Sequence, residues 1–190
     1  MKYNNYRRKS QKVKVGGIDI GGDAPISVQS MTNVSSSDFG ALYRQIKELE
    51  LAGCDIVRMT VPDDGAVKNI ARLKESDIKI PIVADIHFSY RLAVESAAAG
   101  ADKIRINPGN IGGEDRVKAV ISACRAAGIP IRIGVNGGSL EKELLAKYGS
   151  PTPEALAESA VSHVRLLEKY DFYDTIIAVK SSDVRTMIKA

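Results

Sequence analysis

Lys103-Ile104-Arg105-Ile106-Asn107-Pro108-Gly109-Asn110 is a short β-like run with an arginine in its middle and a glycine-containing turn behind it. Side chains alternate faces along a strand, so with Ile104 and Ile106 on one side, Arg105 and Asn107 take the other. Two more runs repeat the arrangement: Ile56-Val57-Arg58-Met59-Thr60-Val61-Pro62 and Ile131-Arg132-Ile133-Gly134-Val135-Asn136. Each sets a cation inside an apolar strand, with turn chemistry just beyond it. Three strand cations call for an anion, because a buried charge is costly unless it is met.

Working outward, strands are predicted over 27–32, 56–62, 80–88, 103–107, 129–136 and 175–181. Helical stretches lie between them, with recognisable punctuation. Asp38 caps a predicted helix whose Leu42, Ile46 and Leu49 share a face, and Gly53 ends it. Helices over 91–99 and 115–127 stop at Gly100 and Gly128, and Thr152-Pro153 caps and opens another. A further short helix is expected over 140–148. Ahead of the first main strand, apolar residues alternate around Gly16-Gly17 and Gly21-Gly22, which predicts a small β-hairpin serving as a plug or lid. Strand, helix, strand repetition means a parallel sheet. The expected fold is α/β, an incomplete (β/α)8 TIM barrel of about six βα units with an N-terminal β-hairpin. A complete barrel takes about 250 residues, so at 190 residues the chain reads as a fragment of a longer protein, open at its first and sixth strands. A basic tail is expected over 1–12 and the partial barrel, a substrate-binding domain, over 13–190.

Composition fits that class: 44% hydrophobic and 26% charged residues describe an ordinary soluble domain. The net charge of +4 is local. Lys2, Arg7, Arg8, Lys9, Lys12 and Lys14 fall in the first fourteen residues without an acid. That tail is too short, and lacks aromatics at stacking spacing, to read as a nucleic-acid or lipid binder, so neither partner is expected. Cys54 and Cys124 are too few for a disulfide framework or a zinc site and read as small buried residues of a protein in the reducing cytoplasm. No signal-like segment and no apolar run near ~18 residues points to secretion or a membrane span.

The side chains expected on the inner face are Gln29, Arg58, Asp85, His87, Arg105, Asn107, Arg132, Asn136 and Lys180. They hold four fixed cations and one carboxylate. Guanidinium forks suit phosphate, and the turns 108–113 and 136–139 lead from strands to helix starts, where backbone N–H groups favour anions. The bland alternative has each arginine reaching the rim to pair with Asp63, Asp64 or Glu114. Asp85 and His87, two residues apart, suit proton transfer; no metal is expected on that pair alone. His163, beside Val164 and Leu167, reads as a partly buried helix residue. Lys180 could form a Schiff base or hold a phosphate, and the phosphate role is favoured.

The runs Gln29-Ser30-Met31-Thr32, Val57 through Pro62, Val83 through Phe88, Lys103 through Gly112, Arg132 through Leu140 and Val179 through Asp183 closely resemble the N-terminal barrel of the 4-hydroxy-3-methylbut-2-enyl diphosphate synthase family. The resemblance covers nearly the whole chain. It implies reductive ring opening and dehydroxylation of 2-C-methyl-D-erythritol 2,4-cyclodiphosphate in non-mevalonate isoprenoid biosynthesis. It also implies a [4Fe-4S] cluster, held by three cysteines and a glutamate in a separate C-terminal domain and fed by ferredoxin or flavodoxin. A homodimer is implied too, in which one subunit's cluster domain covers the other's barrel. Carried over residue by residue, Arg58, Arg105, Arg132 and Lys180 would hold the diphosphate, with Asn107, Asn136, Asp85 and His87 around it. Cys54 and Cys124 match no cluster ligand, so the iron–sulfur domain is expected to be absent and the chain to be inactive alone. The rival expectations are a pterin-binding barrel like dihydropteroate synthase and a non-catalytic, truncated phosphate binder.

Overall fold

The computed structural model describes residues 9–190; most of the expected basic tail, residues 1–8, lies outside the described residues. The chain opens with an antiparallel hairpin, β1 (Val13–Val15) and β2 (Ile18–Ile20). Then strands and helices alternate: β3 (Gln29–Met31), α1 (Phe39–Leu51), β4 (Ile56–Thr60), α2 (Asp64–Lys74), β5 (Ile82–Asp85), α3 (Tyr90–Ala98) and β6 (Lys103–Ile106). A single helical turn, α4 (Pro108–Ile111), precedes α5 (Glu114–Ala127), β7 (Ile131–Asn136), α6 (Lys142–Tyr148), α7 (Pro153–Glu168), β8 (Thr175–Lys180) and α8 (Val184–Lys189). The six main strands form one parallel sheet in sequence order, β3 to β8, as the expected incomplete barrel requires.

Alternation along each strand sorts the side chains. Val57, Met59, Ile82, Ala84, Ile104, Ile106, Ile131 and Ile133 point outward and are fully buried. They share one core with Leu42 and Ile46 of α1, Ile70 of α2, Val120 of α5 and Leu156 of α7. On the inner face, Val15, Ile56 and Val83 form a separate apolar cluster, ringed by Ile18, Ile20 and Ile176. The hairpin therefore closes the floor of the sheet. Gly16 turns it at φ +56°, and a Cβ there would stand 2.8 Å from Pro81, so only glycine lets the hairpin seat so closely.

Helix ends follow their caps. The side chains of Asp38, Asp63, Ser89 and Thr152 each accept a backbone N–H of the first turn of α1, α2, α3 and α7. Glycines 53, 100 and 128 follow α1, α3 and α5 in positive φ. Most predicted boundaries shift by one or two residues, and two segments differ more. The strand expected over 80–88 is only Ile82–Asp85: Pro81 has no N–H to donate, and beyond Ile86, whose N–H still reaches Arg105 O at 2.9 Å, the chain turns into the Ser89 cap. His87 and Phe88 thus leave the strand. The turn after β6 winds into α4 because the Asn107 side chain accepts the Gly109 N–H at 3.1 Å.

Candidate functional site

Strand register stacks the inward side chains in layers. Met31, Arg58 and Lys103 are aligned with Val83 of the apolar floor across β3 to β6. Thr60, Asp85, Arg105, Arg132 and Ile176 are aligned one step higher, and Asn136 and Lys180 pair at the C-terminal end. The expected cations are thus brought together, with one addition. Lys103 stands on the inner face and is 1% exposed, although the sequence reading left it out of the inward set. The signal was present, since a period of two from Arg105 reaches Lys103 as surely as Asn107.

Asp85 is the only acid on the inward face of these strands, and it is shared. Its Oδ1 accepts from Arg105 Nη1 at 3.0 Å, and its Oδ2 lies 3.5 Å from Arg58 Nε. Arg58 otherwise rests its Nη2 on the thioether of Met31 at 3.1 Å, a weak acceptor. Arg132 has less: its Nε is buried without a hydrogen-bond partner. Burial, then the charges of Arg58 and Arg105, hold Arg132 below the usual guanidinium range. Lys180 is lowered the same way, by burial first and those two arginines next. Lys103 is pushed down to about 8 by burial, then by Arg132 and Arg58. Five cations surround one carboxylate.

The rim carboxylates are engaged elsewhere, so the bland alternative does not hold. Asp63 caps α2 and takes the Ser37 hydroxyl, Asp64 pairs with Arg91 at 2.6 Å, and Glu114 binds Lys169 and Tyr170. His87, having left the strand, keeps its side chain 52% exposed with Nε2 3.9 Å from Asp85 Oδ2, beyond hydrogen-bond range. Asn107 is buried with its carboxamide oxygen capping α4. Asn136 and Lys180 border an open cleft of about 570 Å³ above β7 and β8, continued by Gly137, Gly138 and Ser181.

Two supporting contacts were not legible beforehand. Arg105 lies across Gly134 of β7: a Cβ there would stand 2.8 Å from its Cζ, and Nη2 reaches Gly134 O at 3.5 Å. Glu141, next to the Gly137–Ser139 turn, accepts from Ser159 Oγ at 3.0 Å and meets His163 Nε2 at 2.6 Å. Its Oε1 would be 3.1 Å from a Cβ on Gly109, so the Glu141–His163 contact ties the β7 turn to α7 and braces α4.

An iron–sulfur cluster does not fit here. Among the described residues no three His, Cys, Asp or Glu side chains converge as a ligand set. Cys54 gives its thiol to Ile56 O, and Cys124, buried on α5, has its thiol pushed up to about 12 by desolvation.

A parallel βα sheet with a plugged floor and a cation-lined interior, opening where the strands end, defines a TIM-barrel protein of the kind that places its ligand sites at the strand C-termini. Within that class the chain belongs to the GcpE TIM-barrel domain family, which it matches over residues 10–190. It is 57% identical over 184 residues to "4-hydroxy-3-methylbut-2-en-1-yl diphosphate synthase (flavodoxin)" of Pseudomonas savastanoi pv. phaseolicola, covering 97% of this chain and 50% of that protein. The Clostridium perfringens protein of the same name is 55% identical, over 97% of this chain and 52% of its own length. The chain spans about half the length of the curated relatives it matches. Among solved structures, dihydropteroate synthase from Yersinia pestis superposes with a TM-score of 0.61 at 15% identity, covering 87% of this chain and 61% of that one. The Xanthomonas albilineans enzyme in complex with 7,8-dihydropteroate gives 0.61 at 14%, over 94% and 70%. That likeness is one of fold.

Proposed function

We propose that this chain is the substrate-binding barrel of an enzyme that converts 2-C-methyl-D-erythritol 2,4-cyclodiphosphate to 4-hydroxy-3-methylbut-2-enyl diphosphate. The conversion consumes two electrons and two protons and releases one water. The observation that carries the reading is the buried, unpartnered Nε of Arg132 within a ring of cations that a single carboxylate cannot balance. A diphosphate supplies the missing acceptors. Arg58, Arg105, Arg132 and Lys180 would hold its oxygens, the guanidinium groups by paired N–H donors. Asn107 and Asn136 would orient the carbon skeleton at the strand ends. Asp85, fixed by two arginines, would keep the cationic forks in place, and His87, at the mouth, would move a proton to or from the departing oxygen.

The electrons would come from a [4Fe-4S] cluster with ligands other than Cys54 and Cys124, reduced by a flavodoxin or ferredoxin. The barrel's share is to bind, orient and exclude water, so the 190 residues by themselves bind but do not turn over. In the whole enzyme a homodimer would bring the cluster over the barrel mouth. A cytoplasmic location goes with this reading, and no helix among the described residues is long and apolar enough to cross a membrane.

Calorimetric titration with the cyclodiphosphate, a pterin diphosphate and inorganic pyrophosphate tests the assignment. The cyclodiphosphate should bind tightest. Arg105→Met should weaken it by about 100-fold, as loss of a buried charge-assisted pair does, with an unchanged circular-dichroism spectrum. Unchanged affinity in that variant would sink the diphosphate site, and preference for the pterin would move the chain to the rival class.

A further inference from the structure

Lys103 opens β6 and lies one layer below Arg105, at the level of Arg58. Its one polar partner among the described residues is Gln29 Oε1 at 3.4 Å, longer than a normal ammonium hydrogen bond. Among the described residues no carboxylate comes within ion-pair distance of it, because Asp85 is held by Arg105 and Arg58. Gln29 comes from β3, Arg58 from β4, Val83 from β5 and Arg132 from β7, with Arg105 above it on its own strand. Beneath lie Val15, Ile18 and Ile20 of the hairpin, whose charged Lys14 and Asp19 alternate to the other face. A buried ammonium beside two like charges and no anion is held at a cost. Arginine cannot shed its charge to escape that cost, and lysine can.

We propose that Lys103 is a proton-coupled counter-charge beneath the anion site, taking up a proton when an anion enters the cation cluster and releasing it when the anion leaves. The inference rests on the anion-site reading above and adds a residue and a regulation to it. Arg132 and Arg58 are two of the causes that hold Lys103 at about 8, and they are also the cations a diphosphate would neutralise. Occupancy therefore restores the proton affinity that the cluster removes. Near neutral pH Lys103 is already charged and the coupling is silent. As pH rises past about 8, anion affinity falls, because the proton must be recaptured from an increasingly dilute supply.

The test is calorimetric titration of the whole protein with inorganic pyrophosphate, in buffers of different ionisation enthalpy, which counts protons exchanged on binding. Wild type should take up about half a proton more than Lys103→Met near pH 8. Protons exchanged by the ligand and by Lys180 are common to both proteins and cancel in the difference. Lys103→Arg, which keeps its charge throughout, should bind with the same deficit in uptake, and it keeps the test open if the methionine variant fails to fold. Equal uptake in wild type and variants, with pyrophosphate bound, would overturn the Lys103 role and leave the anion site standing. No pyrophosphate binding by wild type would overturn both.

Discussion

Strand β6 presents two faces that are equally dry and chemically opposite. Ile104 and Ile106 on the helix side are fully buried, and Lys103 and Arg105 on the barrel side are 1% and 5% exposed. Burial therefore says nothing about which face is functional. What separates them is whether the buried groups find their partners within the chain. The isoleucines do, in the shared core with the helices. The cations do not, since one aspartate serves Arg105 and Arg58 while Arg132 Nε and Lys103 lack an anion. A face that is stable by itself is structure, and a face left short of counter-charge points to a ligand.

The contrast is broken most severely at Asp85. Asp85→Asn removes the only acid on the inward face of the described strands and leaves Arg105 and Arg58 uncompensated, which should cost about 3–5 kcal/mol of stability. Ile104→Ala on the opposite face should cost about 2–5 kcal/mol through its cavity. The two are told apart by adding pyrophosphate during urea unfolding. The anion should restore more stability to Asp85→Asn than it adds to wild type, and no more to Ile104→Ala than to wild type. Equal rescue of both variants would erase the distinction between the faces.

A smaller effect should appear in the pH dependence of stability. Lys103 has a folded-state value of about 8, below its ordinary 10.5. Between those values the unfolded chain holds more protons than the folded one, so stability rises with pH across the window, and below it the full penalty applies. Lys103→Met should therefore be more stable than wild type near neutrality, by about 3 kcal/mol as an upper figure, and the two should converge toward pH 10.5. Denaturant melts at four or five pH values measure this, and parallel curves would refute it. The smallest change is expected from Gly134→Ala. Its methyl collides with the Arg105 side chain and should cost about 1–3 kcal/mol by overpacking. Anion affinity should fall about tenfold, the equivalent of ~1.4 kcal/mol, since Arg105 is displaced rather than removed. An alanine variant that binds as wild type would show that Arg105 has another resting place.

Much of this was readable along the chain because alternation and capping are local. The period of two assigned Arg58, Arg105 and Arg132 to one face, and Asp38, Thr152, Gly53, Gly100 and Gly128 marked helix ends where the structure has them. The cluster of cations was legible for the same reason. His87 was read two residues from Asp85 on a continuing strand, but the proline at 81 and the serine cap at 89 shorten that strand from both ends. Lys103, at the first residue of its strand, is buried because the hairpin seals the floor beneath it.

The sequence by itself determined that Arg58, Arg105 and Arg132 share the inward face and where α1, α3, α5 and α7 are capped or stopped, since both depend on neighbours within a few residues. Only the tertiary structure decided who meets whom. It joined Asp85 to Arg105 and Arg58, sent Asp64 and Glu114 to partners outside the barrel, laid Arg105 over Gly134 and left Arg132 and Lys103 without an anion. Those outcomes depend on the register between strands and the closing of the floor, which bring together residues tens of positions apart and have no local signature.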